Sequence, residues 1–480
     1  MKWLRYLALF LPLVLYLLFS TKEYYWDGVI FALEIEKANG DPSLLFRPNH
    51  LLYNFTGYLL YTALDAQVRA LFLLQLLNQL LAGLCVVPVY RILQEITESS
   101  YHSLCLSLFF AFSATWWRFA TDADAYIPSI FFLLICFLLL LPSRKSRPIW
   151  VGVFHSVAML FHQLAIFFLP VAMVALWRQR RKVSHLLCYG AVSSLLTASV
   201  YIYVYRSLSN AGSFWSWITT HSDDSSFTFS LFHNAALSLR GNFRLFFGGR
   251  SSLLQLDAVT VIGMICLAVA LGWCTMRRSE IRKGMSESWA QLNKQHLIAG
   301  IPLLIWIFSY ILFLIFWIPK NTFYRLFYLP AIIFLIGSLG RPWKERFKHS
   351  LVLGLIILAV WNFTFLIYPL SRAENNEILS FALRHRAYWP RGTTIIYRHY
   401  HSDLWTISYF NPQAKWIGKD DLSDISAFPE DGPFWLEGTA YDAIKEKPEG
   451  ERWLETRVDA AGSLIYRSDK HTFRFFRVNP

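Results

Sequence analysis

Cysteine is scarce in this chain, and carboxylates are missing from the interiors of its apolar runs. The six cysteines, at 85, 105, 136, 188, 266 and 274, form no CxxC or Cys/His ligand spacing, and most lie in or beside apolar runs. They read as small apolar packing residues, so neither a disulfide framework nor a zinc site is implied. Charged residues make up only 16% of the sequence, and Asp65 and Asp257 lie at the edges of apolar runs rather than inside them. That placement argues against a coupled transporter, which keeps ionisable groups near mid-membrane. There is no internal repeat and no low-complexity tract. No small-x-small cleavage site follows the first apolar segment, Trp3 to Phe19, so it reads as a membrane span and not a signal peptide.

What is present is apolar and aromatic. Hydrophobic residues account for 55% and aromatic residues for 17% of 480, with a mean hydropathy of +0.36. These are the values of a polytopic membrane protein. The net charge of +13 is not a nucleic-acid signature. Ser371 to the end holds 15 Lys+Arg against 16 Asp+Glu, so the part before it carries 30 against 16. That excess sits in short loops: Arg144 to Arg147, Arg178 to Lys182, Arg277 to Lys283 and Arg341 to Lys348. The positive-inside rule puts such loops in the cytoplasm.

At about 20 apolar residues per crossing, spans are expected near 4–20, 68–90, 101–119, 126–142, 185–205, 252–276, 296–317, 323–340 and 350–370. The stretch 149–177 is too long for one crossing and has basic loops at both ends, so it should enter and return as two short helices with His162 and Gln163 near the turn. The expected fold is therefore an all-α membrane bundle of about 11 segments over residues 1–370, followed by a small α/β or α+β extracytoplasmic domain over 371–480. In that domain TTIIYRHY, WTISYF, PFWLEG, SLIYRS and TFRFFRV read as strands, and ENNEILSFALRHR and TAYDAIKE as helices.

Three regions fall on the outer face: a first loop from Ser20 to about Gln67, a tight hairpin in FATDADAYIPSIFF, and a loop from Arg206 to Arg250. The first loop carries Asp27 behind the aromatic cluster Tyr24-Tyr25-Trp26, and later His50. Asp122 and Asp124 sit in the hairpin. Carboxylates gathered at a membrane surface can act as a general base or hold a divalent cation; equally, Asp caps helices and makes turns. In the third region Leu237, Leu239, Phe243, Phe246 and Phe247 suggest an interfacial helix carrying Arg240 and Arg244 at i and i+4. Clustered outer arginines invite a lipid phosphate. Lys320 and Arg325, in WIPKNTFYRLFYLP, form a second outer basic pair.

This layout resembles the GT-C glycosyltransferases, nearest the protein O-mannosyltransferase and aminoarabinose-transferase branch. The resemblance rests on an early acid in a long first loop, a second hairpin with acids before an aromatic (TDADAY), short fifth and sixth segments, an Arg-bearing outer loop and a C-terminal outer domain. Where many members carry His-Pro-Pro-Leu, this chain has Arg47-Pro48-Asn49-His50-Leu51. The resemblance implies an inverting transfer of a sugar from a polyprenyl-phosphate donor to a protein, glycan or lipid acceptor on the extracytoplasmic face. Asp27, Asp122 and Asp124 would be catalytic, and Arg240, Arg244, Arg325, Lys320 and His50 would contact the lipid phosphate or donor. Asp122 and Asp124 could also hold Mg or Mn, and no nucleic acid is expected. Low cysteine use in the outer domain and the absence of retention signals favour a bacterial inner membrane. The competing reading is a transporter or lipid flippase. A reporter active only in the cytoplasm, fused after Pro480, should stay silent; activity would mean that a crossing has been miscounted.

Overall fold

The computed structural model describes residues 2–38, 41–208, 212–219, 227, 229–249, 254–276, 300–339, 348–419, 422, 428–429, 432–468 and 470–479. They divide into two compact units, Met1–Thr21 with Glu34–Ser371 and Lys22–Leu33 with Arg372–Pro480. The loop Arg277 to Lys283 and nearly all of Arg341 to Lys348 lie outside the described residues.

The first unit is helical. In chain order it contains α1 (Lys2–Leu18), the second part of α2 (Trp26–Lys37), α3 (Leu51–Ala63), α4 (Ala70–Thr97), α5 (Ser100–Ala111), α6 (Ala114–Ala120), α7 (Tyr126–Leu139), α8 (Pro148–Phe161), α9 (Leu169–Arg180), α10 (Val183–Ser207), α11 (Phe214–Thr219), α12 (Leu231–Phe246), α13 (Ala258–Met276), α14 (Ile301–Phe316), α15 (Leu329–Leu339) and α16 (Lys348–Asn362). After Asn362 the helix widens into a π turn, Phe363–Ile367, and ends at Leu370. Among the described residues four helices are long and apolar enough to cross a bilayer: α4, α10, α13 and the run His349–Leu370. Six more are apolar but shorter. The chain is thus an integral membrane bundle, and the described residues hold four full-length apolar helices and six shorter ones where about eleven segments were expected.

Two polar side chains explain where the apolar runs break. The expected span 101–119 is two helices, because the buried Asn362 donates from Nδ2 to the Phe112 carbonyl at 2.8 Å, just where α5 ends. The same amide donates to Phe246 O and accepts from Gly248 N, so it also closes the end of α12. The stretch 149–177 breaks at His162, whose extended backbone (φ −159°, ψ 123°) stops α8. Its Nδ1 accepts from Leu164 N at 3.1 Å and starts a short 3-10 turn, Gln163–Phe168, that leads into α9.

The central element is α4, 28 residues and about 42 Å long. It packs against α1, α3, α5, α7 and α15. Most of its inward positions are apolar, but Gln75, Asn78 and Gln79, at i, i+3 and i+4, are buried on one face.

The second unit is a five-stranded mixed sheet of order β2-β1-β3-β5-β4, made of β1 (Thr394–Tyr397), β2 (Lys415–Gly418), β3 (Phe434–Glu437), β4 (Val458–Arg467) and β5 (Thr472–Val478). β1 is parallel to β2 and β3, and β5 is antiparallel to β3 and β4. Its helices are α17 (Glu377–Arg384), α18 (Ser402–Phe410), α19 (Gly438–Lys445) and α20 (Pro448–Arg457). WTISYF, expected as a strand, lies in α18. Parallel β1 and β2 cannot be joined by a hairpin and need a crossover, which α18 supplies. The first loop's aromatic cluster also belongs here. Tyr24 stacks on Phe410, Trp26 packs on Trp405, and the Lys22 carbonyl accepts from Asn376 Nδ2 at 2.8 Å.

At the end of β3, Glu437 lies 4.0 Å from His401 Nε2 and holds the imidazole pKa above its ordinary value, against the opposing pull of burial. A raised folded-state pKa adds stability that is full below the ordinary value near 6.5 and is lost as pH rises through the folded one. The melting-temperature gap between the parent and Glu437→Gln should therefore narrow from pH 5.5 to 8.5. A gap that widens would remove the pairing.

Candidate functional site

Within the membrane unit, the hairpin Thr121–Ala125 connects α6 to α7, and α4 holds it. Asn78 Nδ2 donates to the carbonyl oxygens of Asp122 and Asp124 at 2.8 and 2.7 Å. One turn earlier, Gln75 Nε2 donates to Thr21 O and Thr121 O, both at 3.0 Å. Thr21 N also donates to Thr121 O, so the chain leaving α1 is tied to the same hairpin. Gln79 Nε2 donates to Ser20 Oγ at 2.7 Å. Carbonyls turned into a low-dielectric interior need partners, and three amides on one helix face supply them.

This clamp buries both acids, at 0% and 1% exposure. Asp122 Oδ1 accepts from Ala123 N at 2.8 Å and Asp124 Oδ1 from Ala125 N at 2.7 Å. Those bonds shape the turn and fit the turn-forming role that aspartate has in hairpins. The turn alone does not account for the burial, because an exposed hairpin satisfies the same bonds in water. Tyr53 of α3 is buried nearby; burial, then the charges of Asp124 and Asp122, push its hydroxyl pKa up, while a bond with Asn78 pulls it down.

An aromatic wall continues from the acids. Tyr126 stacks on Phe323 at 5.3 Å, meets Tyr324 edge-on and lies 5.0 Å from His162. His162 lies 4.6 Å from His50, which is itself buried. The first loop is held here by its own residues. Arg47 forks onto Glu34, with Nε at 3.0 and 2.9 Å from the two carboxylate oxygens. The Pro48 carbonyl accepts from Tyr201 OH at 2.6 Å and Gln163 Nε2 at 3.0 Å. Asn54, within an Asn-Phe-Thr triplet, is fully buried and donates to Glu34, which takes it away from glycosylation chemistry.

The basic candidates separate into two kinds. Arg325 is 0% exposed, and its guanidinium donates to Asn321 O, Tyr328 OH, Ser238 Oγ and Pro319 O at 2.7–3.2 Å. It fastens α12 to the loop after α14, and Gly241 is required there because a Cβ would stand 2.4 Å from Arg325 Nε. This geometry makes Arg325 a structural post and not a surface contact for a donor. Arg240, Arg244 and Lys320 are exposed. α12 presents Asn234, Ser238, Gly241 and Leu245 inward, while Phe232, Leu239 and Phe243 are 91%, 72% and 65% exposed beside the arginines. That inverted pattern suits a helix lying at a lipid interface.

The structure therefore brings Asp122, Asp124 and His50 into one unit, with Tyr53, Tyr126 and His162. Asp27, in the first turn of α2, belongs to the other unit with the C-terminal domain. Among the described residues no three His, Cys, Asp or Glu side chains group around a metal position. Asp122 and Asp124 each engage one oxygen with the turn. The sequence reading missed Gln75, Asn78, Gln79 and Tyr53. The signal was there: QLLNQ places three amides at helical spacing within a run of leucines.

The chain shares its fold with the crystal structure of ArnT from Cupriavidus metallidurans bound to undecaprenyl phosphate, at a TM-score of 0.64 and 12% identity over 99% of this chain and 98% of that one. The apo state of the same protein gives 0.62 and 11%, over 99% and 97%. The chain thus has the fold of ArnT along nearly its whole length. No protein-family profile and no curated protein sequence matches the chain.

If the amide clamp holds the hairpin, Asn78→Leu should strand two buried carbonyls at about 1–3 kcal/mol each. The melting temperature in detergent should fall by several degrees, well beyond the effect of Gln79→Leu, whose partner is a single hydroxyl. Equal losses would remove Asn78 from the central role.

Proposed function

We propose that the protein is a membrane glycosyltransferase that moves a sugar from a polyprenyl-phosphate donor to an acceptor at the membrane face carrying the aspartate hairpin. The carrying observation is the pair of buried carboxylates clamped by α4, set in a fold shared along nearly its whole length with ArnT, which has been crystallised with undecaprenyl phosphate. That face is the extracytoplasmic side, and a bacterial inner membrane is the setting that fits the low cysteine use.

The chemistry follows from the residues. An acceptor oxygen attacks the anomeric carbon, the bond from that carbon to the phosphate oxygen breaks, and polyprenyl phosphate leaves with the bonding electrons. The acceptor's proton passes to Asp122 or Asp124, or to Asp27 if the outer unit supplies the base. A carboxylate fixed by hydrogen bonds and screened from water needs little reorganisation to take that proton. Single displacement inverts the anomeric centre. Arg240 and Arg244, exposed beside Leu239 and Phe243, suit a phosphate at the interface with its tail in lipid, and Lys320 adds a third outer cation. His50 and His162, within an aromatic wall, line the way to the acids. Sugars commonly stack on such surfaces through their C–H faces.

Purified protein supplied with a polyprenyl-phosphate sugar and acceptor should release polyprenyl phosphate. Asp122→Asn or Asp124→Asn should lower that rate about a hundredfold or more if the residue is the base, with donor binding retained. Arg240→Ala with Arg244→Ala should instead weaken donor binding, and the Lys pair should weaken it less. Donor lipid crossing sealed vesicles without any release of polyprenyl phosphate would favour the flippase reading and overturn this one.

A further inference from the structure

At the end of the bundle far from the hairpin lies a second polar site that the proposed reaction does not use. On α4, Glu95 is 17 residues past Asn78, about 25 Å along the axis. There a cavity of about 580 Å³ opens between the ends of α4, α7, α9, α14 and α15. Leu141, Ala175 and Leu303 form apolar walls, and Glu95, Arg178 and Gln179 bring polar groups from two helices. Its volume falls within the range of small-molecule and cofactor pockets.

The polar groups specify what would enter. Gln179 Nε2 donates to Leu141 O at 2.9 Å, which fixes the amide, and its buried Oε1 has no hydrogen-bond partner. A buried acceptor left unpaired is costly, so the site asks for an N–H or O–H donor. Glu95 is a carboxylate with about four acceptor positions; it accepts from the Ser143 hydroxyl and from Arg144 Nη2 and Nε at 3.2 and 3.3 Å. Together an amide oxygen and a carboxylate call for a cation that carries N–H bonds. Arg178 is exposed beside them and begins the basic run Arg178 to Lys182, so an anion bonded next to that cation would meet a guanidinium. Apolar walls at a bundle end call for hydrocarbon.

We propose that this cavity binds a phospholipid with a primary-ammonium headgroup, of the phosphatidylethanolamine class, from the leaflet opposite the aspartate hairpin. The ammonium donates to Gln179 Oε1 and Glu95, the phosphate rests on Arg178, and the first part of an acyl chain lies against Leu141, Ala175 and Leu303. A choline headgroup has no N–H to give and a glycerol headgroup has no cation, so the site discriminates among common phospholipids by donor chemistry.

The test is retention of lipid by the full-length purified protein, read by native mass spectrometry after equilibration with equal amounts of phosphatidylethanolamine, phosphatidylcholine and phosphatidylglycerol. The ethanolamine lipid should be retained at least fivefold over the other two. Gln179→Leu should reduce that preference below twofold in the fraction of protein that remains folded in detergent. Ala175→Phe, which fills the apolar wall and leaves the polar groups in place, should lower retention of all three. Soluble phosphoethanolamine in tenfold excess should not displace the lipid. Equal retention of phosphatidylcholine, a preference for phosphatidylglycerol, displacement by the soluble headgroup, or an ethanolamine preference that survives Gln179→Leu would each overturn the assignment.

Discussion

Two hydrogen bonds from Asn78 to the backbone of Asp122 and Asp124 are the constraint on which the candidate site depends. A membrane bundle cannot leave carbonyls unpaired in its interior, and a hairpin that turns between two buried helices exposes several. A helix side chain that reaches two of them at once turns that cost into a fixed geometry. The acids then sit in the protein rather than in water, because their backbone has already been satisfied from α4. Gln75 extends the arrangement to Thr21, so the end of α1 and the hairpin share one set of donors. A long, otherwise apolar helix thus serves as a rail to which the polar parts of the bundle are attached.

Asn362 shows the same device at a second place, holding the ends of α5 and α12 with one amide. Arg325 shows it with a charge. Burying a guanidinium is costly unless its donors are used, and here four neutral oxygens use them. The sequence does not distinguish Arg325 from Arg240 or Arg244, since all three are arginines in aromatic surroundings. Their difference comes from Gly241, which lets α12 approach closely enough to cover Arg325 while turning Arg240 outward. One missing Cβ separates the arginine that is built into the bundle from those that stay exposed.

Much of the fold could be read directly, and the failures have definite causes. Hydropathy marks the membrane bundle, and the basic loops around 149–177 forced a turn at His162, where the helix does break. Alternation found β1, β3, β4 and β5. It misassigned WTISYF because six residues of mixed polarity suit a half-buried strand as well as a helix; parallel pairing of β1 with β2 made the choice, and that pairing is non-local. The span at 101–119 looked continuous because hydropathy is blind to a partner 250 residues away that ends a helix. The acids stood out by their charge, whereas the amides that hold them passed as ordinary polar residues in a leucine-rich run. The cluster Tyr24-Tyr25-Trp26 stood out as aromatic, but nothing local in the sequence pointed to its partner, which is α18.

An identity of 12% across a shared fold has a physical explanation that also limits what the likeness carries. A lipid-facing or helix-packing position asks only for apolar bulk, so leucine, isoleucine, phenylalanine and valine exchange there at little cost. Identity can drain from most of a membrane bundle while its helices keep their places. The positions under tighter constraint are those where a polar group must meet a partner in a dry interior; among the described residues they include Gln75, Asn78, Asn362, Arg325 with Gly241, the Arg47–Glu34 fork and, deeper in the bundle, His155 with Tyr189. The first four close the backbone or join elements around the hairpin and α12, and the Arg47–Glu34 fork holds the loop leading to His50. What sets the hairpin apart from the other buried polar pairings is that its partners hold two carboxylates in the dry interior, which span-to-span packing does not require.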